Sequence, residues 1–386
     1  MPRTILFVHP SDELYGSDRC LRDIVQGLSS EDRAIVVMPT DLPYAGALSR
    51  ELEAAGVTVA RVDMLVLRRS LLRPRQLPEL LRRFVAGSRE LVGLVRRHDV
   101  DLVHSNTVAV VCGAMAAAFT RTPHLWHVHE HIGDEPRAYK LLIRLMLTLF
   151  PGRIVANSRS VARALVGGSQ RRLARTRVIE NGVDPAITPI ERPLRAPDEP
   201  VVIGAVGRLS PRKGTAEALA AAGLLAAQGR CFEMRFAGDV PPGQDDLMAD
   251  YRAQVAALDL EGYVTFLGQV EDVRPLYAEF DLLLLPSQRP EPFGLVVIEG
   301  MAAGLPVVAT LNGGGSDDIL DHGVTGVYCG REPASIAAAL AALIDAPERR
   351  RKLGVAAARV AVERYARTRY QADFVHIYGE LVPYRS

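Results

Sequence analysis

Two carboxylates, Glu291 and Glu299, stand eight residues apart in the stretch EPFGLVVIEGMAAGLPVVAT (291–310), on either side of Phe293-Gly294-Leu295. The preceding DLLLLPS (281–287) is a nearly continuous apolar strand, and the two prolines of QRPEP forbid a helix immediately after it. A helix that starts at 293–295 aims its uncapped N–H groups, carrying a partial charge of about +0.5, at an anion such as a phosphate. A ligand lying across that start meets one carboxylate on each side. Glu299 can accept two vicinal ribose hydroxyls, each such hydrogen bond being worth about 1.5–3 kcal/mol, and Glu291 then lies toward a sugar. A nucleotide sugar has that shape. As an isolated pair, the same glutamates would read as a solvated helix residue and a loop charge.

The elements that must position these residues are short β-rich runs alternating with helical patterns. TILFVHP (4–10), RAIVVMP (33–39), VTVARV (57–62), DLVHSN (101–106), HLWHVHE (124–130), RIVANS (153–158) and RVIENG (177–182) form a first series. VVIGAVGRL (201–209), FEMRFAGD (232–239), VTFLGQV (264–270), DLLLLPS, PVVAT (306–310) and TGVYCG (325–330) form a second. Such alternation predicts parallel sheets covered by helices. PAITPIERPLRAPDEP, rich in Pro and charge, separates the two series. The expected organisation is a domain over 1–185, a linker over 186–200 and a second domain over 201–365, with the helical tail 366–386 crossing back to the first. Ligands of open α/β sheets sit beyond the carboxyl ends of strands, so polar residues just after strands are the candidates.

With its neighbours, the 291–310 segment resembles the E-x7-E motif of the GT-B glycosyltransferases, specifically the retaining group 1 transferases of family 4, over essentially the whole chain. Glu291, Phe293, Gly294, Leu295 and Glu299 match residue by residue, with Gly300 where Ala is commoner. The resemblance implies two Rossmann-like doubly wound domains facing each other across a cleft, and a nucleotide-sugar donor, UDP- or GDP-linked, with no cofactor and no metal. VGRLSPRKG (206–214) matches the family's glycine, arginine and lysine element, which makes Arg208 and Lys213 the cations on the donor diphosphate. VTFLGQVED (264–272) matches the loop that recognises the base through Gln269 and Val270, and NGGGSDDI (312–319) the Gly-Gly turn, with Asp318 where Glu is usual. In LYGSDR (14–19), Gly16 and Ser17 take the glycine-loop position against the donor and Asp18 a contact to the acceptor. It is not GxGxxG, which argues against a dehydrogenase. In WHVHEH (126–131), His129 followed by Glu130 matches the family's histidine near the donor sugar; His104 and Asn106 could line the same cleft. On residues alone, alternating strand histidines read more often as satisfied packing partners.

Cleaving a sugar–diphosphate bond builds negative charge on the leaving phosphates, so Arg208, Lys213 and the 293–295 N–H groups would stabilise it electrostatically in place of a metal. No Asp-x-Asp cluster follows a strand. The resemblance implies retention of configuration by front-face attack, with His129 and Glu291 positioning the sugar. A GT-B sugar-nucleotide epimerase and a non-catalytic nucleotide-sugar-binding module are the other two readings.

Length 386, 48% hydrophobic and 24% charged residues are ordinary for a globular chain, and a net charge of +1 does not favour nucleic acid. Lysine occurs only at 140, 213 and 352; the four cysteines show neither zinc-ligand nor disulfide spacing. MPRTILFVHP has too short an apolar run for a signal peptide, so a cytoplasmic protein is expected, either free or peripheral on the inner face of the plasma membrane. The Arg- and Leu-rich region 64–97, and the similar 139–150, read either as helices packed on the sheet with solvated arginines or as basic surfaces that rest on anionic lipid. The acceptor could be a saccharide, a lipid-linked intermediate or a small molecule.

Overall fold

The computed structural model describes residues 2–41, 46–67, 77–191, 196, 199–241 and 243–384. The chain divides into two compact units, Met1–Gly182 with Arg367–Ser386, and Val183–Ala366. Of the expected linker 186–200, residues 192–195, 197 and 198 lie outside the described residues, as do 68–76 of the basic region 64–97.

The first unit alternates β1 (Thr4–Val8), α1 (Gly16–Gln26), β2 (Arg33–Pro39), α2 (Ala47–Ala54), β3 (Thr58–Val62), α3 (Leu77–Arg97), β4 (Leu102–Ser105), α4 (Val111–Thr120), β5 (His124–Val128), α5 (Arg137–Leu149), β6 (Arg153–Ala156), α6 (Arg159–Val166), α7 (Gln170–Leu173) and β7 (Thr176–Val178). Its seven strands pair in the order β3-β2-β1-β4-β5-β6-β7, every ladder parallel. Ile5 to Val8 are fully buried, as strands covered on both faces require. The order reverses between β1 and β4, where the loops after the two strands part to opposite faces and leave room for a ligand.

The second unit runs β8 (Val201–Val206), α8 (Thr215–Ala227), β9 (Phe232–Ala237), α9 (Asp245–Ala257), β10 (Val264–Gly268), α10 (Arg274–Glu279), β11 (Leu282–Leu285), α11 (Leu295–Ala302), β12 (Val307–Thr310), β13 (Gly326–Cys329), α12 (Pro333–Ile344) and α13 (Pro347–Arg364). Six parallel strands are ordered β10-β9-β8-β11-β12-β13, so this sheet reverses between β8 and β11.

The last helix, α14 (Arg367–Leu381), belongs to the first unit, where Tyr370, Phe374, Ile377 and Tyr378 are buried. Its underside rests on histidines. The Phe374 ring lies 5.8 Å from that of His104 and 4.8 Å from that of His127, and the Tyr378 hydroxyl is 2.7 Å from His104 Nδ1. His127 has no hydrogen-bond partner for either ring nitrogen among the described residues. Burial holds His104 and His127 well below the usual histidine range, with further lowering by neighbouring histidines, and pushes His124 down to about 3.

A linked pH dependence follows. Histidines depressed in the folded state contribute stability that is present above their unfolded pKa of about 6.5 and is lost as pH falls below it. Four of them, 104, 124, 127 and 129, sit in the first unit; Glu130, whose carboxyl burial pushes up to about 7, opposes them with one proton between its ordinary value and 7. The net uptake on unfolding near pH 5 is about three protons, so stability should fall by roughly 4 kcal/mol per pH unit at the steepest. Urea titrations followed by the single tryptophan, the buried Trp126 of β5, will read this, and His127→Leu should remove about one proton from the slope. A midpoint that does not move between pH 7 and 5 would show that these rings are not neutral in the fold.

Candidate active-site residues of the two units

In the second unit the turn after β8 builds the cationic side. Ser210 caps a short 3-10 turn at Pro211–Lys213 by accepting from the Lys213 backbone N–H at 3.4 Å, which fixes where the Lys213 side chain departs. A small, open pocket lies at the ends of β8 and β11, lined by Gly207, Arg208, Lys213, Thr215 and Pro286 among others. Arg208 is exposed at its edge.

Glu291 is 9% exposed and takes Lys213 Nζ on both oxygens, at 2.9 and 2.8 Å, with the Ser287 hydroxyl donating at 3.0 Å. Burial works to raise its pKa, but the Lys213 ammonium and the Ser287 hydroxyl outweigh that and hold it below the usual value. Its backbone is clamped too. Glu291 N–H and Gly314 N–H both donate to Asn312 Oδ1, at 3.1 and 2.9 Å, and Gly315 N–H donates to the Glu291 carbonyl at 2.6 Å. A Cβ on Gly314 would stand 2.3 Å from Glu291 N and O, so the Gly-Gly turn read from sequence is what lets one loop lie on the other.

Helix α11 begins at Leu295, with Gly294 as its N-cap at φ 105°, a conformation that favours glycine. Phe293 points inward, 3% exposed, its ring 6.0 Å from that of Tyr365. Glu299 lies one turn into α11, 1% exposed, and accepts from the Tyr277 hydroxyl at 2.7 Å. Gln269 is exposed and Val270 half-buried in the loop after the edge strand β10. Sequence reasoning missed Tyr277, Ser287 and Asn312; only the last, within NGGGSDD, carried a local signal.

In the first unit the loops after β1, β4 and β5 converge. Gly16 and Ser17 open α1, and Asp18, buried at 1%, accepts from Tyr15 N–H at 3.1 Å with one oxygen. The other oxygen meets the Ser11 hydroxyl at 2.6 Å and His9 Nε2 at 2.8 Å. His9 Nδ1 lies 2.9 Å from Asn106 Nδ2, and Asn106 Oδ1 lies 3.0 Å from His129 Nε2. With the Asn106 amide oriented as it stands, these contacts assign the proton positions. The Asp18 carboxylate only accepts, so His9 Nε2–H donates to it, His9 Nδ1 accepts from the Asn106 amide, and His129 donates Nε2–H to Asn106 Oδ1. His129 Nδ1 is therefore left as an acceptor, and burial pushes the ring down to about 3, keeping it neutral. Asp18, expected at the acceptor, is here committed to His9. His104, expected to line a cleft, is fully buried under α14, because strand alternation turns it to the sheet face that the helix covers. Asn106 is fully buried between His9 and His129, and His9 went unread because a histidine after a strand carries no role by itself.

The chain of bonds makes a remote test possible. In Asp18→Asn, the Tyr15 N–H holds the amide oxygen, so the new NH₂ faces His9 Nε2 and turns it into an acceptor. His9 must then protonate at Nδ1, Asn106 flips, and His129 becomes the Nδ1–H tautomer. Two-bond 1H–15N spectra of the histidine rings will show His129 protonated on Nε2 in the native protein and on Nδ1 in the variant; an unchanged pattern refutes the relay.

Comparison with known proteins matches both units. Residues 16–187 match the model described as glycosyltransferase family 4 and residues 187–360 that of glycosyl transferases group 1. A Mycobacterium tuberculosis glycogen synthase is 37% identical over 205 residues, covering 52% of this chain and 45% of the synthase, so the match spans about half the length of that relative. The D-inositol 3-phosphate glycosyltransferase of Thermobispora bispora is 29% identical over 329 residues, 79% of this chain and 76% of the relative. Anabaena HepE, solved in complex with UDP and glucose, superposes with a TM-score of 0.81 at 25% identity, covering 98% of this chain and 99% of its own. With both of its units matched in sequence and its two parallel sheets in fold, the chain belongs to the group 1, family 4 glycosyltransferases of GT-B fold.

Proposed function

We propose that the protein is a retaining, metal-independent glycosyltransferase that moves a sugar from a UDP- or GDP-linked donor to a hydroxyl acceptor. The observation that carries this reading is the pairing of Lys213 with the buried Glu291 beside the pocket at the β8–β11 reversal, with Arg208 at its edge. Cations held at that place stabilise a leaving diphosphate more in the transition state than in the ground state. The solution of HepE with UDP-glucose supports a nucleotide-sugar donor of this kind. In this reading the Glu299 carboxylate, steadied by Tyr277, receives the ribose hydroxyls; the backbone at 293–295 receives phosphate oxygens; and Gln269 and Val270 meet the base. His129 offers its Nδ1 lone pair to a sugar hydroxyl, and Glu291 steadies the reacting sugar. Gly16 and Ser17 sit against the donor. The acceptor is a saccharide, lipid-linked or small-molecule hydroxyl of a surface polysaccharide, glycolipid or secondary-metabolite pathway.

The ion pair changes how this must be tested, because Lys213→Ala also leaves a buried carboxylate without its cation. Lys213→Ala should lose most of its turnover, and adding Glu291→Gln, which removes the stranded charge, should restore folding stability while turnover stays well below that of Glu291→Gln alone. Recovery of turnover in the double variant to that level would confine Lys213 to holding Glu291. Transfer should persist in EDTA; loss on chelation, reversed by Mg²⁺ or Mn²⁺, overturns the metal-free route. Glu299→Ala should weaken donor binding by roughly 2–4 kcal/mol in calorimetry, and unchanged affinity in a folded variant would exclude the ribose role.

A further inference from the structure

Residues 136–179 contain nine arginines and one lysine and not a single aspartate or glutamate, in a chain whose net charge is +1. Helix α5 runs through this segment with two unlike faces. Ile143, Met146 and Leu147 are buried, while Leu141, Leu145 and Leu149, at successive turns, are 69%, 49% and 61% exposed. Lys140, Arg144 and Thr148 form the adjoining row at the same spacing, and Arg172 extends it by donating to the Thr148 hydroxyl at 3.1 Å. Leu173, beside Arg172 on α7, is 53% exposed.

The arginines along this edge are held by backbone carbonyls. Arg144 donates to Ala164 O at 2.7 Å, Arg172 to Val166 O at 2.9 Å and Arg175 to Leu147 O at 3.0 Å. Burial and then the like charges of Arg144 and Arg175 keep Arg172 below the usual arginine value, whereas Arg153 and Arg177 of the same segment pair with Glu380 of α14. The other basic helix differs. On α3, Leu81 and Val85 are also exposed, but Arg82 bonds Glu79 and Asp63, and Arg83 bonds Glu79 and Asp41. The two arginines beside these exposed residues are already paired with carboxylates, so this part of α3 is the poorer lipid surface.

We propose that the exposed face of α5, with the α6–α7 corner beside it, docks on an anionic lipid bilayer. A stripe from Leu141 to Leu149 is about 12 Å long, lies parallel to a surface, and has the dimensions of an interfacial helix whose leucines enter the acyl boundary while the flanking cations meet headgroup phosphates. Charge complementarity selects the occupant. A second copy of the same face would bring like charges together, and a nucleic acid would leave the leucines in water. No helix among the described residues is long and apolar enough to cross a membrane, so the contact is peripheral.

The test is co-flotation of the full chain with vesicles of phosphatidylcholine alone or phosphatidylcholine with phosphatidylglycerol. Binding is expected only to the anionic vesicles and should weaken with salt. Leu141→Ser/Leu145→Ser/Leu149→Ser should lower the binding constant by about tenfold or more, whereas Leu81→Ser/Val85→Ser on α3 should leave it unchanged. Matching thermal unfolding of the variants shows that the loss is not misfolding. Absence of flotation with anionic vesicles overturns the proposal, as does a leucine-triple variant that binds like the native chain. A dimer in solution that the same three substitutions abolish, without vesicle binding, would assign the face to a second copy instead.

Discussion

A parallel sheet covered by helices on both faces has no interior position where a charge can meet water, so ionisable groups must wait for the carboxyl ends of the strands. In each unit this constraint is joined to a reversal of strand order, between β1 and β4 in the first and between β8 and β11 in the second. His9 and Asn106 stand just past the first reversal, Gly207, Arg208 and Ser287 just past the second. Chemistry is concentrated there because the neighbouring loops part and leave their backbone N–H and C=O groups without ladder partners.

Within those openings, burial forces the charged groups into pairs, and pairing couples their roles. Glu291 stays ionised at 9% exposure because the Lys213 ammonium and the Ser287 hydroxyl face it, and Lys213 is itself aimed by a capped 3-10 turn. Asp18 acts in the same way at longer range, setting the proton on His9, the orientation of Asn106 and so the lone pair that His129 presents. Groups that look like independent contacts in sequence are members of two networks in which each partner is needed to hold the next.

The histidines show the other consequence of burial. His104 and His127 are packed as neutral rings under α14 and contribute apolar contact with Phe7 and Phe374 at the cost of acid sensitivity. Close by, in the same unit, Arg144, Arg172 and Arg175 stay nearer the surface, held by carbonyl oxygens. Solvent access separates the two behaviours.

Strand identity was legible from sequence because apolar, β-branched runs announce it, and RAIVVMP coincides with β2 residue for residue. The strand readings overran mainly at carboxyl ends: HP after β1, HE after β5, GRL after β8 and PS after β11 are loops. Those overruns are the polar loop residues themselves, where hydropathy cannot tell a strand end from a site. The motif residues Glu291, Gly294 and Glu299 were visible through their spacing around one helix start, a local feature that sequence can hold. That Lys213 closes on Glu291, that Tyr277 reaches Glu299, and that Asp18 speaks to His129 through His9 and Asn106 depend on contacts across 78, 22 and up to 97 positions. The order of residues already determined two parallel α/β units and carried the resemblance to the family's motifs, since periodicity and short-range spacing are properties of neighbours in the chain. Which carboxylate meets which cation, and which arginines go unneutralised, only the tertiary structure decided, because burial and Coulomb attraction act on distance in space.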